Sequence, residues 1–188
     1  MRILILGPQG SGKGTQAQRI AAAYGVPHIA TGDMFRAAVA TGSELGAQVG
    51  PILERGDLVP DDLTIELIRE RLAEEDGFVL DGFPRTVPQA EALDTMLDEI
   101  GKPLDAVILL QVSDDVATER LRERAAKEGR ADDSPEAIAN RLRQYHELTE
   151  LVVDRYQQAG IEVIVDGEQT MDGVFAAIQD ALEGVTAP

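Results

Sequence analysis

An α/β fold is predicted for this chain: a three-layer arrangement in which a five-stranded parallel sheet lies between helices. Two features carry the expectation. Short apolar runs alternate with longer helical segments, the grammar of successive βαβ units, and the first run opens into a glycine-rich loop followed at once by a helix. The candidate strands are Ile3 to Leu6, His28 to Ala30, Phe78 to Leu80, Ala106 to Val112 and Glu162 to Val165. Helical periodicity places helices near 13–24, 32–40, 61–75, 87–100, 114–127, 135–158 and 171–182. Segments 31–60 and 124–135 depart from this alternation and read as inserts folded over the carboxyl ends of the strands, where open α/β sheets bind ligands. With 188 residues, the chain has the length of one domain with a proper core.

The first strand is a continuous apolar run, as expected of a strand buried on both faces. After it comes GPQGSGKG, residues 7–14. Gly7, Gly10, Gly12 and Gly14 let backbone N–H groups converge on one anion, and Lys13 adds a full charge. The next helix, through Gln16, Arg19, Ile20 and Ala23, aims its positive dipole end at the same point. The spacing matches the Walker A loop of P-loop NTPases except that Gly14 stands where Ser or Thr is usual, with Thr15 one place late. Magnesium is therefore expected to be held mainly by phosphates and water.

Two further motifs end strands. In TGDMFR, Thr31 to Arg36, Thr31 suits a helix cap, and Arg36 stands one turn into the helix where its guanidinium can fork onto a phosphate. In LDGFPRT, Leu80 to Thr86, Asp81 holds the place of a Walker B acid able to bind magnesium through water, and Arg85 leaves the same strand end.

The formal net charge is −17, which speaks against a nucleic-acid partner. Cations nonetheless gather at the motifs, with Lys13, Arg36, Arg85, Arg120, Arg124, Arg130 and Arg141 in or beside them. A local positive cleft in an acidic shell is the expectation; the acidic excess fits either a saline habitat or a compositional bias. There is no cysteine, so disulfides and thiolate metal sites are excluded. No apolar run approaches a membrane span, and the chain opens in its first strand without a signal peptide; a cytoplasmic location is expected.

Taken in order, GPQGSGKGTQ at 7–16, TGDMFR at 31–36, GDLVPDD at 56–62, DGFPRT with Gln89, and GRADD at 129–133 resemble the adenylate kinases over essentially the whole chain. The GKGTQ form of the loop, with its late Thr15, is typical of nucleoside monophosphate kinases. The resemblance implies reversible, magnesium-dependent transfer from ATP to AMP, giving two ADP. It makes residues 31–60 the mobile AMP-binding segment and residues 124–135 a short lid without zinc. On the ATP side it places Gly10, Ser11, Gly12, Lys13, Gly14, Thr15, Arg120, Arg124, Gly167, Glu168 and Gln169. On the AMP side it places Thr31, Arg36, Asp57, Leu58, Val59, Gly82, Phe83, Pro84, Arg85 and Gln89, with Arg130 and Arg141 converging on the transferred phosphates. Asp57 stands where some relatives carry lysine, and its contact is expected through backbone. The catalytic set so implied is Lys13, Arg85, Arg124, Arg130 and Arg141, with Asp81 on the metal through water. The family is usually monomeric.

Many arginines and no evident base suit phosphoryl transfer, which relies on positioning and electrostatic stabilisation. His28 and His146 are accordingly read as structural or surface residues, Arg122 as part of a solvated face, and Asp132 and Asp133 as anchors for the lid and its arginines or as the start of the next helix. Gly42, Gly46, Gly56 and Gly129 are candidate hinges or helix caps. Three alternatives stay open: a UMP/CMP kinase of the same family, for which Thr31 and Gln89 discriminate; a P-loop ATPase, which leaves Arg36, Arg85 and Gln89 unexplained; and a non-enzymatic nucleotide sensor.

Overall fold

The computed structural model describes residues 1–128 and 133–186. Five parallel strands, β1 (Arg2–Leu6), β2 (His28–Ala30), β3 (Phe78–Asp81), β4 (Ala106–Gln111) and β5 (Glu162–Asp166), form one sheet in the order β2-β3-β1-β4-β5. Because β1 is central, its side chains must be apolar on both faces. Leu4 and Leu6 enter one core and Ile3 and Ile5 the other, which is why the strand reads as an unbroken run rather than an alternating one.

Helix α1 (Lys13–Tyr24) and helix α9 (Met171–Thr186) cover the Ile3 face through Ala17, Ile20, Val174 and Ile178. Helices α4 (Asp61–Leu72), α5 (Val87–Glu99) and α8 (Glu150–Ala159) cover the Leu4 face through Ile68, Leu93, Val152 and Tyr156. The three-layer expectation is thus met. Helices α2 (Thr31–Ala40) and α3 (Glu44–Glu54) close a small core of their own on Phe35, Val49 and Val59. Helices α6 (Asp114–Glu128) and α7 (Pro135–Gln144) close another on Ala117, Leu121, Ile138 and Leu142.

Three local features differ from the sequence expectation, and one of the candidate hinge or cap glycines proves to be neither. Helix α3 has no counterpart in it, because Gly46, Gly50 and Pro51 hide an element that owes its existence to packing on α2. Ser43 caps its start by accepting from the Gly46 N–H. The helix expected over 135–158 breaks at a π-helical turn, Tyr145–Thr149. Buried Leu142, Tyr145, Thr149, Val152 and Tyr156 keep a three-and-four spacing through the break, so periodicity gives no sign of the inserted residue.

The remaining two points concern ends and turns. Thr31 does not cap α2: it is the first helical residue, after Ala30, and its hydroxyl donates to the Gly82 carbonyl at 2.9 Å. Among the candidate hinges, Gly42 and Gly56 take positive φ just past α2 and α3, the usual end of a helix. Gly46 lies inside α3 against the backbone of Ala38, a packing position, and Gly129 lies outside the described residues.

Candidate functional site

Strand register decides what can meet. Ala30 and Ile5 both sit opposite Asp81, and Gln111 sits opposite Asp166, so the loops leaving β1, β2, β3 and β5 emerge along one edge. Around that edge is a cleft of about 620 Å³. Its cations are Lys13, Arg36, Arg85, Arg120, Arg124 and Arg141, and its acids are Asp33, Asp57, Asp81 and Glu128. In a chain with 34 acidic and 17 basic residues, this majority of cations is the local positive surface expected from the motifs.

The glycine-rich loop passes under α6 so closely that a Cβ on Gly10 would clash with the Ala117 carbonyl oxygen, and Gly10 has φ +86°. Only glycine fits there. Helix α1 starts at Lys13. The Lys13 ammonium donates to the carbonyls of Gly7 at 2.7 Å and Pro8 at 2.8 Å, a folded-back position at the mouth of the loop. Burial lowers its pKa to about 8, opposed by Asp81 and reinforced by Arg85 and Arg124.

That shift makes a testable prediction. Folding favours neutral Lys13, so the protein gains stability as pH rises from about 8 toward the ordinary lysine value. An anion bound beside Lys13 reverses the preference and restores the proton. Nucleotide binding at pH 8 is expected to take up about half a proton, measured by titration calorimetry in two buffers of different ionisation enthalpy. The same heat per mole in both buffers would show that Lys13 does not meet the phosphates.

Asp81 ends β3, with its carboxylate 3.5 Å from His28 Nε2. Burial alone would raise its pKa, but His28, Lys13 and Arg85 together hold it below the ordinary carboxylate value. A Cβ on Gly14 would stand 3.5 Å from Asp81 Oδ2, an ordinary contact, so the carboxylate lies beside the first turn of α1, and both residues line the cleft. A lone acid with free space before it suits a magnesium ion that keeps its waters. Among the described residues, no cluster of three or more acids or histidines is placed to ligate a metal directly.

Arg85 leaves the next turn. Its Nε donates to the Gly82 carbonyl at 2.8 Å and its N–H donates to Gln89 Oε1 at 2.8 Å. Burial lowers the guanidinium pKa to about 10, opposed by Asp81 and reinforced by Arg141 and Arg36, so it stays cationic at neutral pH. Beside it, Thr31, Phe35, Leu58, Val59, Thr64, Gly82 and Gln89 line a narrow niche. Thr31, Leu58, Val59, Gly82, Arg85 and Gln89, all expected on the AMP side, thus converge, and Asp57 joins both niche and cleft. Arg36 lines the cleft and pairs with Asp33. Phe83 is fully buried in the core and holds the turn, and a cis peptide joins it to Pro84.

The opposite wall comes from α6 and α7. Arg124 grips Asp133 with two hydrogen bonds, Nε to Oδ2 at 2.8 Å and Nη2 to Oδ1 at 2.7 Å, and Arg141 Nη1 reaches Oδ1 at 2.9 Å. The Asp133 side chain is fully buried. Asp133 therefore anchors both arginines, while the start of α7 is capped by Ser134. Arg130 and Asp132 lie outside the described residues.

Arg120 Nη1 donates to the Gly167 carbonyl at 2.9 Å and also reaches the Ser11 carbonyl. It thereby joins α6, the glycine-rich loop and the turn after β5. Gly12, Thr15, Gly167 and Gln169 line the cleft. The Glu168 carboxylate turns aside and accepts from the N–H and hydroxyl of Ser113. Arg122 is exposed, as read.

Three connections escaped the sequence reading. The π-helical turn carries Thr149, whose hydroxyl donates to the Arg85 carbonyl at 3.0 Å. His28, read as structural, touches Asp81. Asp61, unnoticed at the head of α4, accepts from Gln89 and Thr86. Only the last had a signal, since it lies within the GDLVPDD motif; the others depend on long-range packing.

Comparison with known proteins bears directly on this arrangement. Residues 5–161 match the family model described as adenylate kinase. A protein named adenylate kinase from Stenotrophomonas maltophilia is 48% identical over 187 residues, covering 98% of this chain and 100% of its own. Adenylate kinases from Xanthomonas euvesicatoria and Xanthomonas axonopodis are each 48% identical over 185 residues, covering 97% of this chain and 99% of theirs. With the glycine-rich loop, the cationic cleft and the matching motifs in one spatial arrangement, this chain belongs to the adenylate kinase family.

Proposed function

We propose that the chain catalyses reversible transfer of the terminal phosphoryl group of ATP to AMP, giving two ADP, and so maintains the balance of adenine nucleotides. The single observation that carries the reading is that a phosphate-binding loop and a separate polar niche open into one cleft, with Arg85 between them. An ATPase has no use for the niche, and a passive sensor has no use for five further cations, Lys13, Arg36, Arg120, Arg124 and Arg141, lining the same cleft.

In this reading Gly10 to Thr15 hold the ATP phosphates through backbone N–H groups and Lys13. Arg120, Gly167 and Gln169 border the adenosine, with the Glu168 carboxylate holding the loop on Ser113. Thr31, Asp57 to Val59, Gly82, Arg85 and Gln89 form the AMP site, the buried Phe83 and Pro84 hold the turn between Gly82 and Arg85, and Arg36 and Arg85 grip the AMP phosphate. An AMP phosphate oxygen attacks the γ-phosphorus as the bond to the β,γ-bridging oxygen breaks, and ADP departs as the leaving group. Phosphate oxygens carry the charge throughout, so Lys13, Arg85, Arg124, Arg130 and Arg141 act by matching it, and no side-chain base is needed. Magnesium, when bound, spreads the charge of the phosphate oxygens, and Asp81 would hold it through water.

The small core of Phe35, Val49 and Val59, separate from the two cores on the sheet, supports treating residues 31–60 as a segment that moves against the sheet, with residues 124–135 as the short lid. Closure would expel water before transfer, which prevents loss of the phosphoryl group to hydrolysis. No described helix is long and apolar enough to cross a membrane. We read the protein as cytoplasmic, where adenine nucleotides are turned over, and as monomeric, since its surface charge resists self-association at low salt. The same charge disfavours nucleic acid.

The test is a coupled assay of ADP formation from MgATP with AMP, CMP, UMP, GMP or no acceptor. Strong preference for AMP is expected. Phosphate release without an acceptor would make the protein an ATPase, preference for UMP or CMP would make it a pyrimidine kinase, and silence throughout would favour a sensor. In the same assay Arg85→Ala should raise the KM for AMP on the order of 10²-fold with far less effect on ATP. Equal losses at both substrates would remove Arg85 from the AMP side.

A further inference from the structure

We propose that Asp61 is a positioning residue for base choice, locking the Gln89 carboxamide so that the site accepts a 6-aminopurine monophosphate and rejects a 6-oxopurine one. The inference rests on Gln89 being the residue that reads the base.

Gln89 is 2% exposed and lines the niche. Both ends of its amide are already engaged. Nε2 donates to Asp61 Oδ1 at 2.7 Å, and Oε1 accepts from the Arg85 backbone N–H at 2.8 Å. Asp61 is held in turn by the Thr86 hydroxyl, which donates to the same Oδ1 at 3.0 Å; Thr86 Oγ1 itself accepts from the Gln89 backbone N–H. Asp61, Thr86, Arg85 and Gln89 thus close a ring of hydrogen bonds across the start of α4 and the start of α5.

The chemistry of the two partners admits one amide orientation. A carboxylate accepts but cannot donate, and a backbone N–H donates but cannot accept. Rotating the amide by half a turn would set Oε1 against the Asp61 carboxylate and the Nε2 protons against the Arg85 N–H, losing two partly buried hydrogen bonds and creating two repulsions.

In the orientation present, the amide retains one lone pair on Oε1 and one proton on Nε2. Adenine offers the complement, a 6-amino donor and an N1 acceptor. Hypoxanthine and guanine offer the reverse, an O6 acceptor and an N1 donor, and would need the rotated amide. Base choice is then set not by Gln89 alone, whose carboxamide suits either purine, but by the acid that fixes it.

Asp61→Asn keeps the shape and replaces half of a carboxylate with an NH2 able to face Oε1. The measurement is the ratio of kcat/KM for AMP to that for IMP, with KM for ATP followed in parallel. Asp62→Asn, which removes a neighbouring exposed charge from the same helical turn, serves as control. The expected result is a ratio lowered about tenfold or more by Asp61→Asn, an unchanged ratio in Asp62→Asn, and an unchanged KM for ATP in both. Asp61→Ser, whose hydroxyl also donates or accepts, provides a second variant and is expected to lower the ratio likewise.

An unchanged ratio in a folded Asp61→Asn or Asp61→Ser protein overturns the inference, as does an equal fall in Asp62→Asn, which would trace the effect to the helix start. Wild-type protein that does not use AMP would overturn the proposed function and this inference together, whereas AMP-active wild type with an unmoved ratio overturns this inference alone.

Discussion

Lys13→Met is expected to lower kcat on the order of 10³-fold while leaving the protein folded. The ammonium sits at the mouth of the glycine-rich loop on the carbonyls of Gly7 and Pro8, at the start of α1, where the loop N–H groups are expected to hold phosphate. Methionine is close in length and lacks the ammonium, so both the charge and the two hydrogen bonds to those carbonyls are lost. The loss of charge costs the fold little, because burial already depresses the lysine pKa to about 8 and the charge is held at a penalty without a bound anion. The variant should therefore be at least as stable to heat as the wild type. Turnover within about tenfold of the wild type would take the phosphate contact away from Lys13, and a collapsed far-ultraviolet spectrum would make its role structural.

The second large effect is on stability as well as activity. Asp133→Ala is expected to destabilise the fold by about 3 kcal/mol, read from denaturant unfolding, because it leaves Arg124 and Arg141 facing each other without their shared carboxylate. Burial would raise the Asp133 pKa, but the hydrogen bonds and charges of Arg124 and Arg141 hold it below the ordinary value.

The sign of the pH dependence follows. A carboxylate whose pKa is lowered by folding stabilises the protein above its unfolded value, near 4, and the contribution is lost as pH falls through the folded value. The wild type should thus lose stability on acidification below about pH 4, and Asp133→Ala should lose less over that range. Parallel curves for the two proteins would show that Asp133 adds nothing to the acid sensitivity. Because Arg124 and Arg141 also line the cleft, the variant should lose activity even at temperatures where it stays folded.

These effects share one cause. The protein concentrates cations where its substrates are most negative and surrounds them with an acidic exterior. At rest the guanidiniums are kept in place by a few carboxylates: Asp33 on Arg36, Asp133 on Arg124 and Arg141. Each such carboxylate keeps an arginine positioned before phosphate arrives, so less reorganisation is left for the moment of transfer. The arrangement also explains why the formal net charge of −17 is compatible with binding polyanions.

The layers of the fold, the phosphate-binding loop and the family are legible in the linear chain. Apolar runs such as Ile3 to Leu6 can be satisfied only between two layers of helices, and GPQGSGKGT admits few conformations other than a loop around an anion. Both are local properties, governed by burial and by the freedom of glycine, and a linear reading captures them. Tertiary structure alone decided the rest. Helix α3 exists because Val49 and Phe35 bury each other, overriding two glycines and a proline. The π-helical turn exists where Thr149 reaches the Arg85 carbonyl, a contact between residues far apart in the chain. The partners of His28 and Gln89 are likewise set by strand register and helix placement, because a hydrogen bond needs its two ends within about 3 Å and only the folded chain brings them there.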